Sequence, residues 1–115
     1  MLALSSSARY FMYKEPTDMR FGINSLSGLV RNKLGFDPMN GDVFVFLGKR
    51  SNQVRILQWD GDGFALYIKK LEKGTFERPT LSDNSITGSQ LSLLLQGVRL
   101  ESVSYRKRYT PLKAE

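Results

Sequence analysis

Neither cysteine nor histidine occurs among the 115 residues of this chain. Without cysteine there is no disulfide, no thiolate zinc site, no iron–sulfur cluster and no thiol nucleophile. Without histidine the usual general base near neutral pH is missing, as is the commonest nitrogen ligand of transition metals. That removes Ser/His/Asp hydrolysis, histidine-based nuclease chemistry and histidine-held zinc-water activation together. Carboxylate–magnesium chemistry remains open. Long apolar runs are absent too. The longest, Val43 to Leu47, falls far short of the ~20 residues that cross a bilayer. Met1 to Ser7 has neither the basic nor the apolar region of a secretory signal. The expected location is the cytoplasm, with no membrane partner and no cofactor.

What the chain does hold is ordinary in amount and uneven in sign. Its length is typical of one domain, and folding at this size removes roughly two-thirds of the unfolded surface, enough for one core. Apolar residues make up 41% and charged residues 24%, so a packed core rather than a disordered chain is expected. Lys and Arg number 17 against 11 Asp and Glu, a net charge of +6. Such a balance attracts nucleic acid or an acidic protein, without conferring specificity.

The order of elements can be read from periodicity and turn chemistry. Ala8 to Tyr13 suits a short strand or extended arm, closed by Pro16. Thr17 suits an N-cap with Asp18 in the first helical turn, and Met19, Ile23, Leu26, Leu29, Val30 and Leu34 follow at helical spacing up to Gly35. Gly22 and Gly28 within that stretch suggest a close approach by some neighbour. After a turn at Asp37 to Gly41, strands are expected at 43–48, 53–59 and 64–71, with a short edge strand at Thr75 to Arg78. If Gly48 faces Gln53 and Asp60 faces Gly63, one sheet face holds Phe44, Phe46, Leu57, Trp59, Phe64, Leu66 and Ile68. The other face then holds Val43, Val45, Leu47, Val54, Ile56, Ala65, Tyr67 and Leu71. Both faces are apolar. Helices are expected over one of them, leaving the second to a terminal segment or another protein. Leu81 to Ser85 reads as a polar loop. Thr87 and Gln90 then form a capping box for a second helix that ends near Gly97.

Two basic groups are candidates for phosphate contact. Lys49 and Arg50 occupy a hairpin tip, and Arg55, Lys69, Lys70, Lys73 and Arg78 lie on strands or turns near that end, with Arg55 diagonal to Lys70. A basic β-ribbon can enter a groove or straddle phosphates. The competing reading is that edge and loop lysines simply keep a sheet soluble. The run Arg106-Lys107-Arg108 between two tyrosines is the second group, since crowded cations favour an extended segment against a counter-charge. Asp37, Asp42, Asp60 and Asp62 could in principle gather around magnesium, but they sit beside proline, asparagine and glycine, which is turn usage. Trp59 is expected as a core anchor more than a stacking platform.

The run Thr17-Asp18-Met19-Arg20, followed by Gly22, Leu26, Leu29 and Val30, resembles the opening signature of the TnpB-type accessory protein of the IS66 insertion-sequence family. The likeness continues through Val43 to Phe46, Lys49-Arg50, Trp59-Asp60-Gly61, Gly63-Phe64, Leu71-Glu72, Phe76 and Pro79, and resumes at Gln90-Leu91 and Leu94-Leu95. It covers about residues 8 to 98. Arg78 stands where the family usually carries an aromatic, and Gly88 where its second helix commonly starts with proline. The resemblance implies a bacterial mobile-element protein that works beside a separate transposase, which holds the catalytic carboxylates. Within the motif, Asp18 and Arg20 would not share a helix face, so Arg20 is expected to meet phosphate or to hold a meander carboxylate, with Asp60 the candidate.

These readings combine into one expectation. The chain is an α+β domain over residues 1–98, an antiparallel meander of four to five strands packed with two α-helices, followed by a basic tail at 99–115. It has no catalytic or metal-binding residues and serves transposition by binding DNA, the transposase or both. The alternative is a protein–protein adaptor or homo-oligomeric module without direct DNA contact.

Overall fold

The computed structural model describes residues 7–81 and 83–97. Five strands make one sheet: β1 (Tyr10–Met12), β2 (Val43–Leu47), β3 (Gln53–Trp59), β4 (Phe64–Lys70) and β5 (Ser85–Ile86), in the spatial order β4-β3-β2-β1-β5. Two helices, α1 (Ile23–Leu29) and α2 (Gly88–Gln96), pack against it, and α1 runs on into a π-helical turn at Val30–Leu34. The α+β architecture expected from the sequence is the one observed.

The central meander forms as its turns dictate. Leu47 faces Val54 and Trp59 faces Phe64, with Gly48 N–H donating to Gln53 O at 3.1 Å and Asp60 N–H to Gly63 O at 2.7 Å. Short loops set that register, and the register sorts the side chains onto the two expected faces. On one face Phe44, Phe46 and Leu57 join Phe11, Leu26 and Val30 in a core, and Phe11 packs on Phe36 at 4.3 Å between ring centroids. On the other, Val43, Val45, Leu47, Val54 and Ile56 join Tyr10, Phe76, Leu91 and Leu94. Each fully buried large side chain contributes about 1.5–3 kcal/mol. All five residues of β2 are buried because they sit in the middle of this sandwich.

Several elements depart from the sequence reading. The helices do not share one face: α1 covers the aromatic face and α2 the aliphatic one, so neither face is left wholly to a partner. The sheet is not purely antiparallel. β1 lies parallel to β2, with Tyr10 beside Val43, because the chain crosses over through α1 before it re-enters the sheet. Thr17 is not an N-cap; its N–H donates to Leu47 O at 2.9 Å, extending the parallel pairing to the end of β2, and the helix starts only after Gly22. Met19 accordingly lies outside the helical stripe. It packs over Gly48, where an added Cβ would come within 2.7 Å of Met19 Cγ. Gly22 and Gly28, by contrast, have no neighbour within 4 Å of such a position. The segment Thr75 to Arg78 is not a strand; Phe76 is drawn into the core, and β5 forms instead where the stretch read as a polar loop ends, at Ser85 and Ile86.

The local signals at the two ends of α2 hold. The Thr87 hydroxyl accepts from Gln90 N–H and the Gln90 carboxamide accepts from Thr87 N–H, each at 2.9 Å, and α2 stops at Gly97. Gly88 lies against the Tyr10 ring, whose nearest carbon would be 3.1 Å from an added Cβ. Among the described residues no helix is long and apolar enough to cross a membrane.

Candidate functional site

Strand direction decides where the charges go. β1, β2 and β4 run one way along the sheet, and β3 and β5 run back. The residues that follow β2 and close β4 therefore lie at one end, and those that precede β2 and link β3 to β4 lie at the other. Lys49, Arg50, Lys69 and Lys70 stand at the first end. Asp42, Asp60 and Asp62 stand at the second.

At the basic end, Lys49 and Arg50 are exposed at the tip of the β2–β3 hairpin. The tip is braced from below: Leu71 N–H donates to Asn52 O at 2.8 Å and Phe76 N–H to Ser51 O at 2.6 Å. Lys69 and Lys70 are neighbours in sequence and so point to opposite faces of β4. Lys70 is exposed and Lys69 half-buried, and both line a groove of about 540 Å³ with Leu71, Glu72 and, from α2, Ser92, Leu95 and Gln96. Among the described residues the ion pairs are Arg9–Asp42 and Arg20–Asp18, so none of these four cations is tied up in one.

Arg55 shares the end and the face of Lys70 but is differently employed. Its guanidinium donates to Phe21 O at 3.2 Å and to Gln53 Oε1 at 3.1 Å, pinning the approach to α1 against the sheet. Its Nε is buried without a partner among the described residues. Arg106, Lys107 and Arg108 lie outside the described residues.

The motif residues divide between the two ends. Thr17, Asp18, Met19 and Arg20 cap the basic end beside Gly48. Because this loop is not helical, Asp18 and Arg20 do pair: Arg20 Nη2 lies 2.7 Å from Asp18 Oδ2, and Asp18 Oδ1 also accepts from Arg20 N–H at 2.9 Å. The Arg20 hydrogen bonds hold the Asp18 carboxyl down at about 2. The expected reach of Arg20 to Asp60 does not occur, since Asp60 lies at the far end of the sheet. There Trp59 and Phe64, both half-buried, meet edge to face at 5.0 Å, and Gly61 takes the left-handed conformation that the tight turn requires. Trp59 is thus part of an aromatic corner, not a fully buried anchor.

The aspartates of the acidic end serve turns. Asp37 accepts from Met39 N–H at 2.9 Å. Asp42, itself buried, receives Arg9 through two bonds of 3.1 and 2.7 Å and Asn40 Nδ2 at 2.9 Å. Asp42 raises the guanidinium pKa of Arg9 through these bonds. Among the described residues no three carboxylates gather as a metal site.

Arg9 escaped the sequence reading, and Arg78, expected near the basic end for phosphate contact, is employed within the fold instead. Arg9 meets Asp42 because the parallel pairing of β1 and β2 aligns them, a relation with no local signal. Arg78 donates to the carbonyls of Lys14, Leu47 and Gly48 at 3.2, 3.3 and 3.0 Å, lashing the end of β2 to the N-terminal arm. Its burial lowers its pKa from the usual guanidinium value.

Residues 8–105 match the family model described as IS66 Orf2 like protein. The uncharacterized protein y4jC of Sinorhizobium fredii is 36% identical over 115 residues, which is 98% of this chain and 98% of that one. The uncharacterized protein y4hO of the same organism is 35% identical over 100 residues, 85% of this chain and 87% of that one. No solved structure matches the chain.

Proposed function

Because this chain belongs to the IS66 Orf2-like family, we propose that it serves the transposition of a bacterial insertion sequence by gripping DNA through the basic end of its sheet. It works in the cytoplasm without catalysis of its own, beside the separate transposase that cuts and joins strands. The observation that supports this reading is the sorting of charge along the strands. Lys49, Arg50, Lys69 and Lys70 collect at one end without ion pairs among the described residues, while Asp42, Asp60 and Asp62 collect at the other. A braced hairpin tip with a flanking lysine pair can straddle backbone phosphates, a contact driven by charge. Arg106, Lys107 and Arg108 add to it as a second contact.

The test is the affinity of the full chain for duplex element ends across a salt series. Phosphate contacts give a fall in log K with log salt of about 0.9 per contact. Replacing Lys49, Arg50, Lys69 and Lys70 together by glutamate removes most of that slope. The mirror variant, Asp60→Lys with Asp62→Lys, leaves it intact. A flat salt response in the unaltered chain, or equal losses in both variants, rejects the reading.

A further inference from the structure

We infer that the outer edge of β4 joins two copies of this chain, antiparallel, into one continuous sheet. Among the described residues no strand pairs with that edge. The ladder on its inner side shows which groups are left over. The bonds from Asp60 to Gly63 and from Leu71 to Asn52 mark the hydrogen-bonded rungs, and counting by twos between them assigns Ala65, Tyr67 and Lys69 to β3. Phe64, Leu66, Ile68 and Lys70 therefore direct their N–H and C=O groups outward. The side chains of the same four residues lie on the aromatic face, where Phe64 and Leu66 are half-buried and Ile68 is 49% exposed. One row of residues thus supplies both unused hydrogen-bonding groups and an apolar stripe.

The charges select the occupant and its direction. β4 starts beside the carboxylates of Asp60 and Asp62 and finishes on Lys69 and Lys70. A parallel copy would set like charges together, and an antiparallel copy sets opposite charges together. With Leu66 on the two-fold axis, each Phe64 faces Ile68 of the second copy and each Lys70 comes beside the second copy's Asp62. Every rung in that register joins residues whose backbone groups point outward. Terminal lysines ordinarily guard an edge against unwanted pairing; here the second copy's Asp62 neutralises Lys70.

Sedimentation equilibrium of the full chain without DNA tests this, with hydrogen exchange read amide by amide. A reversible dimer is expected, with the Leu66 and Ile68 amides gaining protection as concentration rises. Ile68→Lys weakens association at least about tenfold while the melting temperature holds. Asp62→Lys and Lys70→Asp each weaken it, and their combination restores it. A chain that stays monomeric overturns the proposal, whether residues 98–115 or nothing fills the edge. So does a dimer indifferent to Ile68→Lys, or a charge swap without rescue. Because DNA is absent, failure here leaves the reading of the basic end untouched, and failure of DNA binding leaves this one untouched.

Discussion

The two ends of the sheet are built from the same strands and use charge in opposite ways. At the acidic end two of the carboxylates are engaged close to home. Asp37 closes a turn, and Asp42 gathers Arg9 and Asn40 beneath β1 and β2. At the basic end two guanidiniums, Arg55 and Arg78, donate to backbone carbonyls, and the hairpin and strand lysines have no ion pair among the described residues. Charge that is used up internally holds a fold. Charge held out on a braced tip is available to something else.

The largest expected effect breaks both ends at once. Phe44 is fully buried in the middle of β2, so Phe44→Ala removes packing that neither end can replace. A loss of about 3–5 kcal/mol in denaturant unfolding is expected. Arg78→Met separates the ends. It removes the Arg78 donor from the carbonyls of Lys14, Leu47 and Gly48, of which Leu47 O keeps the Thr17 N–H, and costs about 1–3 kcal/mol, allowing for partial solvent access. Hydrogen exchange should rise around Leu47 to Gly48 and remain unchanged around Val43. An increase at both ends would mean that they are not independently tied.

The smallest effect concerns the Asp18–Arg20 pair. The Asp18 pKa is depressed from 3.8 to about 2, so its stabilisation is complete above the unfolded value and disappears as pH falls through the folded one. Asp18→Asn should lower the melting temperature slightly at neutral pH, and the two proteins should converge as pH approaches 2. A gap that persists unchanged in acid would mean that the carboxylate charge is not what holds the loop.

How much was legible in the sequence follows from how far apart the partners lie. The β2–β3–β4 register was readable because each hairpin loop is short and names its own closing pair, as Gly48 with Gln53 does. The Thr87–Gln90 box was readable because both partners sit within one helical turn. Thr17 misled. A threonine followed by aspartate ahead of an apolar stripe has the chemistry of an N-cap, and only the arrival of Leu47 O, far along the chain, turns it into a bridge. The same long-range pairing hid Arg9 and Asp42. For the candidate site, the exposed lysines and the hairpin tip were legible as a cluster, and the capture of Arg55 by Phe21 O was not, because it depends on where the crossover settles.

The common direction of β1, β2 and β4 has a consequence for motion as well as for contact. Their terminal charges add instead of cancelling, so a single copy has an electric dipole along its strands, and the proposed antiparallel pair cancels it. On the proposed reading, a single copy near a long polyanion feels a torque and meets it tip first, whereas the pair is not turned. Added salt then weakens that steering together with the proposed grip.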